Sequence, residues 1–339
     1  MLRFCPLSLK IMEKFVEVRE AVREDCQEIR ALIQVRFVKR KAHPSCACTV
    51  LEKDGFDRED PLFKCYVASC DGKIVGYALY FYIYSTLDPR AIHLEDLYVT
   101  PEYREKHIGS RLFDTVAKQT FSERCPYLDF AVLGWNPARS FYKNKGSVDL
   151  TETEAWRMYR LGQDSLKHLA TNYANGQCEV RQAESGDFDT IKRLAEEASF
   201  NTTTRKIKDE KPKIDDVSIV IEGNNTKGDN TYYGYLVGVW NKNVVGYALY
   251  CYAYSTWEGK SMYLMEFYAS PGEHNSNVRD NLFSAVAKKA YEDKCCRIDF
   301  WVLDSKNEGK FYVSNGAVDL TESEEWHLYR LYELTKKSS

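Results

Sequence analysis

Three groups of residues in this sequence could do chemistry. The first is a loop: the extended pattern HLEDLYV runs out, Arg104 and a polar stretch follow, and Gly109-Ser110 opens a segment with helical spacing. A helix start reached this way presents unpaired backbone N–H groups and the positive end of a dipole to an anion, and a pyrophosphate fits such a place. The plain alternative is an ordinary loop-to-helix junction. The second group is the adjacent carboxylates Glu95 and Asp96 in the same extended pattern. Neighbouring strand residues point to opposite faces, so at most one of them is solvent-facing. The third is the set of eleven cysteines. Their number is odd, Cys46 and Cys48 form a CxC, Cys295 and Cys296 are adjacent, and no CxxC pair occurs, which suits neither a tetrahedral zinc site nor a disulfide framework. Reduced, structural thiols in a cytoplasmic protein are the expectation.

The elements that position these residues come twice. GYALYFYIYST at Gly76 to Thr86 returns as GYALYCYAYST at Gly246 to Thr256, and the segment Phe130 to Leu161 returns as Phe300 to Leu331, both at an offset of 170 residues. VREA at Val18 and VRQA at Val180 lie only 162 apart, so the second copy carries a net insertion of eight residues, which the charged, Gly- and Asn-rich stretch Lys206 to Asn230 would hold. Each copy reads as a strand (VEVREA), an amphipathic helix with Asp25 as N-cap, and two strands across an Asp71-Gly72 turn. The strand AIHLEDLYV and a helix from Ile108 to Thr120 come next. The strand YLDFAVLG, a short helix ending at a glycine cap and the last strand AWRMYRL complete the copy. The fold class is α+β: two tandem domains, each a mixed, mostly antiparallel sheet flanked by helices. The expected division is an extension at 1–14, a first domain at 15–161, a helix and linker at 162–177, a second domain at 178–332 and a tail at 333–339.

This order, with LEKDGF, GYALYFYIYS, HLEDLYV, the RxxxIGS of Arg104 to Ser110, WN with FYKNKG, and VDLTETEAW, resembles the GNAT superfamily of acetyl-CoA-dependent N-acetyltransferases, and within it the spermidine/spermine (diamine) N1-acetyltransferases. The motifs cover almost all of the first copy. The resemblance implies acetyl-CoA as co-substrate, no metal, and a primary amine as acceptor. An amine of pKa near 10.4 is almost wholly protonated at pH 7, so a base must take its proton. The family's base falls on Glu95, with Asp96 beside it to hold a cationic substrate, and backbone amides around Leu97, Tyr98 and Val99 would polarise the thioester carbonyl. The pyrophosphate loop falls on Arg104, Glu105, Lys106, His107, Ile108, Gly109 and Ser110. Glu105 and His107 stand where the family has glycine, and a positive φ at either would cost about a kcal/mol or more. Tyr142 matches the tyrosine that protonates the departing thiolate, although packing beside Phe141 would also explain it. Asn136 falls where the pantetheine arm is contacted, followed by a segment one residue shorter than the family's. Glu154 falls where the amine substrate is contacted, and a helix-cap role is the alternative.

The second copy keeps Tyr312 but has Met265 at the place of Glu95, with His274, Arg279 and Asp280 at the places of Arg104, Gly109 and Ser110. A carboxylate at the helix start opposes an anion and a bulky arginine fills space that backbone donors need. A degenerate, catalytically dead second domain is expected, serving as a built-in pseudo-subunit in an internal pseudo-dimer, so that the chain itself is monomeric. On the substrate side, Lys39-Arg40-Lys41 stands where the family carries acidic and tyrosine residues, and like charges repel a polyamine. A diamine-like or amino-acid-like small amine, or a peptide, stays open.

Composition narrows the rest. With 44% hydrophobic residues, 29% charged residues and 47 basic against 50 acidic side chains, each half can build a core and no global positive field advertises nucleic acid or membrane. No run approaches the roughly 20 apolar residues of a membrane span. The first eleven residues do not read as a presequence, and Met12 would serve equally as a start. The rival function is a non-catalytic pseudo-acetyltransferase with a regulatory or binding role; nucleic-acid binding rests only on Lys39 to Lys41.

Overall fold

A computed structural model describes residues 16–38, 48–88, 90–172, 178–201, 232–272, 275–303 and 308–334. The Lys39 to Lys41 run and the Lys206 to Asn230 insertion lie outside them. In the first copy, β1 (Val16–Glu20), α1 (Cys26–Val38), α2 (Cys48–Gly55), β2 (Lys64–Cys70), β3 (Lys73–Ile83) and β4 (Ala91–Val99) lead to α3 (Ile108–Ser122). Then come β5 (Leu128–Leu133), α4 (Arg139–Asn144), β6 (Val148–Asp149), α5 (Leu150–Glu154) and β7 (Trp156–Leu161). α6 (Gln163–Thr171) joins this to β8 (Glu179–Gln182), α7 (Phe188–Asn201), β9 (Tyr233–Trp240), β10 (Asn243–Ser255) and β11 (Gly259–Ala269). The second copy closes with α8 (Asn275–Glu292), β12 (Ile298–Leu303), α9 (Gly309–Ser314), β13 (Val318–Asp319), α10 (Leu320–Glu324) and β14 (Trp326–Leu331).

Local chemistry explains most of these elements. Asp71 and Gly72 both take positive φ, 53° and 78°, as the tightest hairpin turn requires, and β2 pairs antiparallel with β3 across it. α3 buries Ile108, Leu112, Phe113, Val116, Ala117 and Thr120, one helical face, onto that sheet. Gly76 is small because α3 and β4 press on it: a Cβ there would stand 2.8 Å from the Tyr98 carbonyl oxygen and 3.2 Å from Leu112 Cδ1. Gly246 answers to the same squeeze in the second copy, with Val278 Cγ1 at 2.9 Å. Asp25 is not the N-cap of α1. It closes a 3₁₀ turn (Arg23–Asp25) ahead of the helix, where its carboxylate accepts the Val22 N–H at 2.8 Å and binds Arg19 through both oxygens.

Sequence order places each last strand in its own copy, and here the structure differs. The first sheet runs β1-β2-β3-β4-β5-β14-β6 and the second β13-β7-β12-β11-β10-β9-β8, so β7 and β14 are exchanged. After each five-residue helix the chain turns through a left-handed residue, Ala155 or Glu325, both at φ 62°, and crosses to the other sheet. WRMYRL and WHLYRL carry the same pattern and fit either place, so sequence cannot tell which sheet receives them. Each exchanged strand is clamped by a two-pronged ion pair, Arg160 to Asp299 and Arg330 to Asp129. Burial alone would raise the Asp299 carboxyl, yet Arg160 and Arg297 hold it below the usual carboxylate range.

Eight cysteines whose side chains are described are free thiols, seven of them buried, and burial pushes the Cys125 thiol up to about 11. No described helix is long and apolar enough to cross a membrane.

Candidate active site

The pairing of β3 with β4 sets Leu79 opposite Asp96 and Tyr80 opposite Leu94, which leaves Glu95 as the extra residue of a β-bulge. Bulges re-aim a side chain and end regular pairing. On its other edge β4 runs parallel to β5 only through Ile92, His93 and Leu94, so among the described residues the ladder stops one residue before the bulge. Beyond it Leu97, Tyr98 and Val99 remain paired to β3 alone, and their edge toward β5 is open for a ligand to pair with. The Glu95 side chain is 18% exposed, at the mouth of this opening. Asp96 faces the other way and is buried, with its Oδ2 accepting the Tyr77 hydroxyl at 2.6 Å and Thr256 Oγ1, from the other copy, at 3.4 Å. Asp96, expected to hold a cationic substrate, thus lies buried where the two copies meet, on the face away from the opening.

The loop from Arg104 to Ser110 is open and polar. Arg104 donates from Nε to the Val99 carbonyl at 3.0 Å, which folds its guanidinium back toward the end of β4, and Lys106 reaches the Glu102 carbonyl at 3.2 Å. Glu105 and His107 both take left-handed backbone, φ 60° and 59°. α3 starts its bonding with the Arg111 N–H to the His107 carbonyl at 3.0 Å, and His107 makes no side-chain cap. By helical geometry the N–H groups of Ile108, Gly109 and Ser110 then point out of the helix start. A Cβ on Gly109 would meet only Val99 Cγ2, at 3.8 Å, so the backbone there is accessible. An uncapped fifteen-residue helix, a basic loop and an open strand edge in line suit the pyrophosphate and amide-rich arm of acetyl-CoA.

Tyr142 sits half-buried on α4, its ring 4.5 Å from Phe130 and packed on Phe113, Phe141 and Tyr329. Asn136 turns its Oδ1 to the Ala138 N–H at 3.0 Å, shaping the entry to α4. Glu154 accepts the Trp156 indole N–H at 2.9 Å, and Trp156 pairs with Leu303 in the second sheet. The matching place beside Leu133 in the first sheet belongs to Trp326, which holds Glu324 in the same way. The strand exchange thus puts Trp156, the partner of Glu154, in the second sheet and Trp326, the partner of Glu324, in the first.

The second copy is built differently at each of these points. α8 begins at Asn275, although Val278 is the residue that matches Ile108, so three loop positions have been wound into helix. The Asn275 amide ties this helix start to the Ala269 and Ser270 carbonyls at 3.0 Å. Asp280, expected at the helix start, lies in its second turn instead. Arg279 stacks on Phe311 at 4.3 Å and binds Glu308 at 2.6 Å, and Tyr312 beneath them is buried where Tyr142 is half-exposed.

The cluster Asp149, Glu152 and His327 has metal-like residue types, but the Arg139 guanidinium lies among them, with Nη2 donating to Asp149 at 2.9 Å and to Glu152. Sequence reading overlooked two features. One is the cross-copy latch, in which Glu266 accepts Tyr247 Oη, Ser85 Oγ and the Thr86 N–H, mirroring Tyr77, Asp96 and Thr256. The YST that ends both GYALY segments was its signal. The other is Arg297, which stands where the first copy has Tyr127 and reaches toward Glu95.

A bulged central strand parting from its parallel neighbour in front of a helix start defines an acetyltransferase of the GNAT kind. The Acetyltransferase (GNAT) family model matches residues 26–146, and the thialysine N-epsilon-acetyltransferase of Bos taurus is 40% identical over 167 residues, 46% of this chain and 98% of its own length. The chain belongs to the GNAT acetyltransferase family. Spermidine/spermine N(1)-acetyltransferase-like protein 1 of Homo sapiens is 29% identical over 166 residues, 46% of this chain and 24% of that one. A solved tandem GNAT protein from the clavulanic acid biosynthesis pathway, 11% identical, covers 94% of this chain and 98% of its own with a TM-score of 0.53, a likeness of fold alone.

Proposed function

We propose that the chain transfers an acetyl group from acetyl-CoA to the primary amine of a small molecule, with the chemistry in the first copy. The observation that carries this is the bulge that sets Glu95 at the open edge of β4, in line with the uncapped start of α3. Acetyl-CoA, when bound, supplies an activated acyl thioester. Arg104 and the N–H groups of Ile108 to Ser110 hold its pyrophosphate, and the β4 amides around Leu97 to Val99 orient its carbonyl. Glu95 takes the ammonium proton, directly or through a water, and Tyr142 gives a proton to the sulfur that leaves. The names of the relatives support an amine with an amino-acid frame, such as a thialysine-like side chain, or a polyamine-like one. Lys39 to Lys41 favours the former by repelling a polycation. The second copy binds no acetyl-CoA in this reading, because its helix start is wound shut and Arg279 with Glu308 covers Tyr312.

The test is release of free thiol by the full chain against a panel of polyamines, lysine and thialysine analogues, arylalkylamines and peptides. Turnover on an amine is expected, falling about 100-fold or more in Glu95→Gln with the fold intact. Calorimetry should count one acetyl-CoA per chain. No turnover on any amine, with no acetyl-CoA bound, overturns the assignment in favour of the non-catalytic reading, which the left-handed Glu105 and His107 would then explain.

A further inference from the structure

Arg297 belongs to the second copy and lies 10% exposed where the two halves meet. Its Nε donates to Asp299 Oδ2 at 2.7 Å, and its Nη1 to Ser255 Oγ at 2.9 Å and Glu258 Oε2 at 2.6 Å. Its Nη2 stands 3.8 Å from Glu95 Oε1, across the boundary between the copies. The guanidinium is thus held on three sides by its own copy and faces the first copy's bulge with the fourth. At the offset of 170, Arg297 matches Tyr127 and Glu95 matches Met265. The mirror-related place therefore holds Tyr127 and Met265, both uncharged and both in one apolar cluster. Charge is present on both partners in one place and on neither in the other.

We propose that Arg297 is a positioning residue that the second copy supplies to the first: a fixed cation that keeps the Glu95 carboxylate ionised and aimed at the opening between β4 and β5. This rests on Glu95 being the base. The other charged and titratable groups around Glu95 do not replace Arg297. Asp96 points to the opposite face and is tied to Tyr77 and Thr256. His93 lies between Phe81 and Tyr263. Tyr263 is held far above the usual phenol range, first by burial and then by Asp299 and Glu95, so it stays neutral. Asp299 and Glu258 are negative and are engaged with Arg297 itself. The second copy, without a base of its own, then remains necessary to the first for a reason beyond packing.

The test reads the Glu95 carboxyl directly, by carbon NMR of full-length protein labelled at glutamate, with the Glu95 signal identified by its loss in Glu95→Gln. In Arg297→Gln the titration midpoint is expected to rise by about one pH unit or more, and in Arg297→Lys to stay near the wild-type value. Where Arg297→Gln fails to fold, Arg297→Tyr, the residue found in the mirror-related place, gives the same reading. An unmoved midpoint in a folded Arg297→Gln or Arg297→Tyr overturns the proposal. Measured beside it, the acid limb of kcat/KM should shift with the midpoint, whereas a merely structural role would lower the amplitude and leave the limb where it is. If the chain turns over no amine, the assignment of function fails, while the carboxyl midpoint still decides the role of Arg297.

Discussion

Glu105 and His107 occupy left-handed backbone in the loop that, on the proposed function, brings its amides to an anion. A side chain at such a φ costs about 1–2 kcal/mol, and glycine escapes that cost while giving back part of it through the freedom of the unfolded chain. At an ordinary position a change to glycine destabilises by about 1 kcal/mol. The sign therefore discriminates: Glu105→Gly and His107→Gly should each leave stability unchanged or raise it by up to about 1 kcal/mol in urea denaturation, with Glu105→Ala close to neutral. A loss of 1 kcal/mol in both glycine variants would remove the strain from the account. Both side chains are exposed, so no lost packing confuses the reading.

The exchange of β7 and β14 decides which copy furnishes the residues beside each opening. Arg330 comes from the end of the chain, yet its guanidinium binds Asp129 of the first copy with bonds of 2.6 and 2.7 Å. Arg330→Met would leave Asp129, only 7% exposed, without its cation, and removal of one partner of such a pair costs about 3–5 kcal/mol. Because β14 is shared, thermal unfolding followed by circular dichroism should stay a single transition, shifted as a whole. Two separate transitions would mean that the halves are stable apart. Elements with local causes were legible in the sequence: the Asp71-Gly72 hairpin and the buried face of α3. The strand exchange was not, since WRMYRL and WHLYRL offer the same alternation to two nearly identical neighbours. The motif marks Glu95, but its bulge depends on how the neighbouring strands β3 and β4 fall into register, and its approach to Arg297 on the meeting of two segments about 200 residues apart in the chain, neither of which a local pattern records.

The whole molecule is held at its centre by groups that only the assembled pair of copies brings together. His93 and Tyr263 occupy matching positions of the two copies and pack against each other, ring centroids 5.3 Å apart. Burial pushes the His93 imidazole down to about 4, and the nearby carboxylates of Asp129 and Asp299 only partly oppose this because Arg330 and Arg160 already engage them. In the unfolded chain the same imidazole titrates near 6.5, so between about pH 6.5 and pH 4 the unfolded state binds a proton that the folded state refuses. His93 therefore costs nothing above the upper value and destabilises the fold progressively as pH falls through that window, by about 3 kcal/mol in total. The ion-paired carboxylates Asp25, Asp187 and Asp299 have folded values below 3.8 and act at still lower pH, while the Asp54 and Asp280 carboxyls, raised by burial, act alike in wild type and in a His93 variant. Urea denaturation at pH 7.5 and pH 4.5 should show wild type losing roughly 2–3 kcal/mol more than His93→Gln across that step, whatever the variant's stability at neutral pH. Equal losses would mean that His93 is already charged in the folded protein, and that the seam between the copies admits a proton without opening.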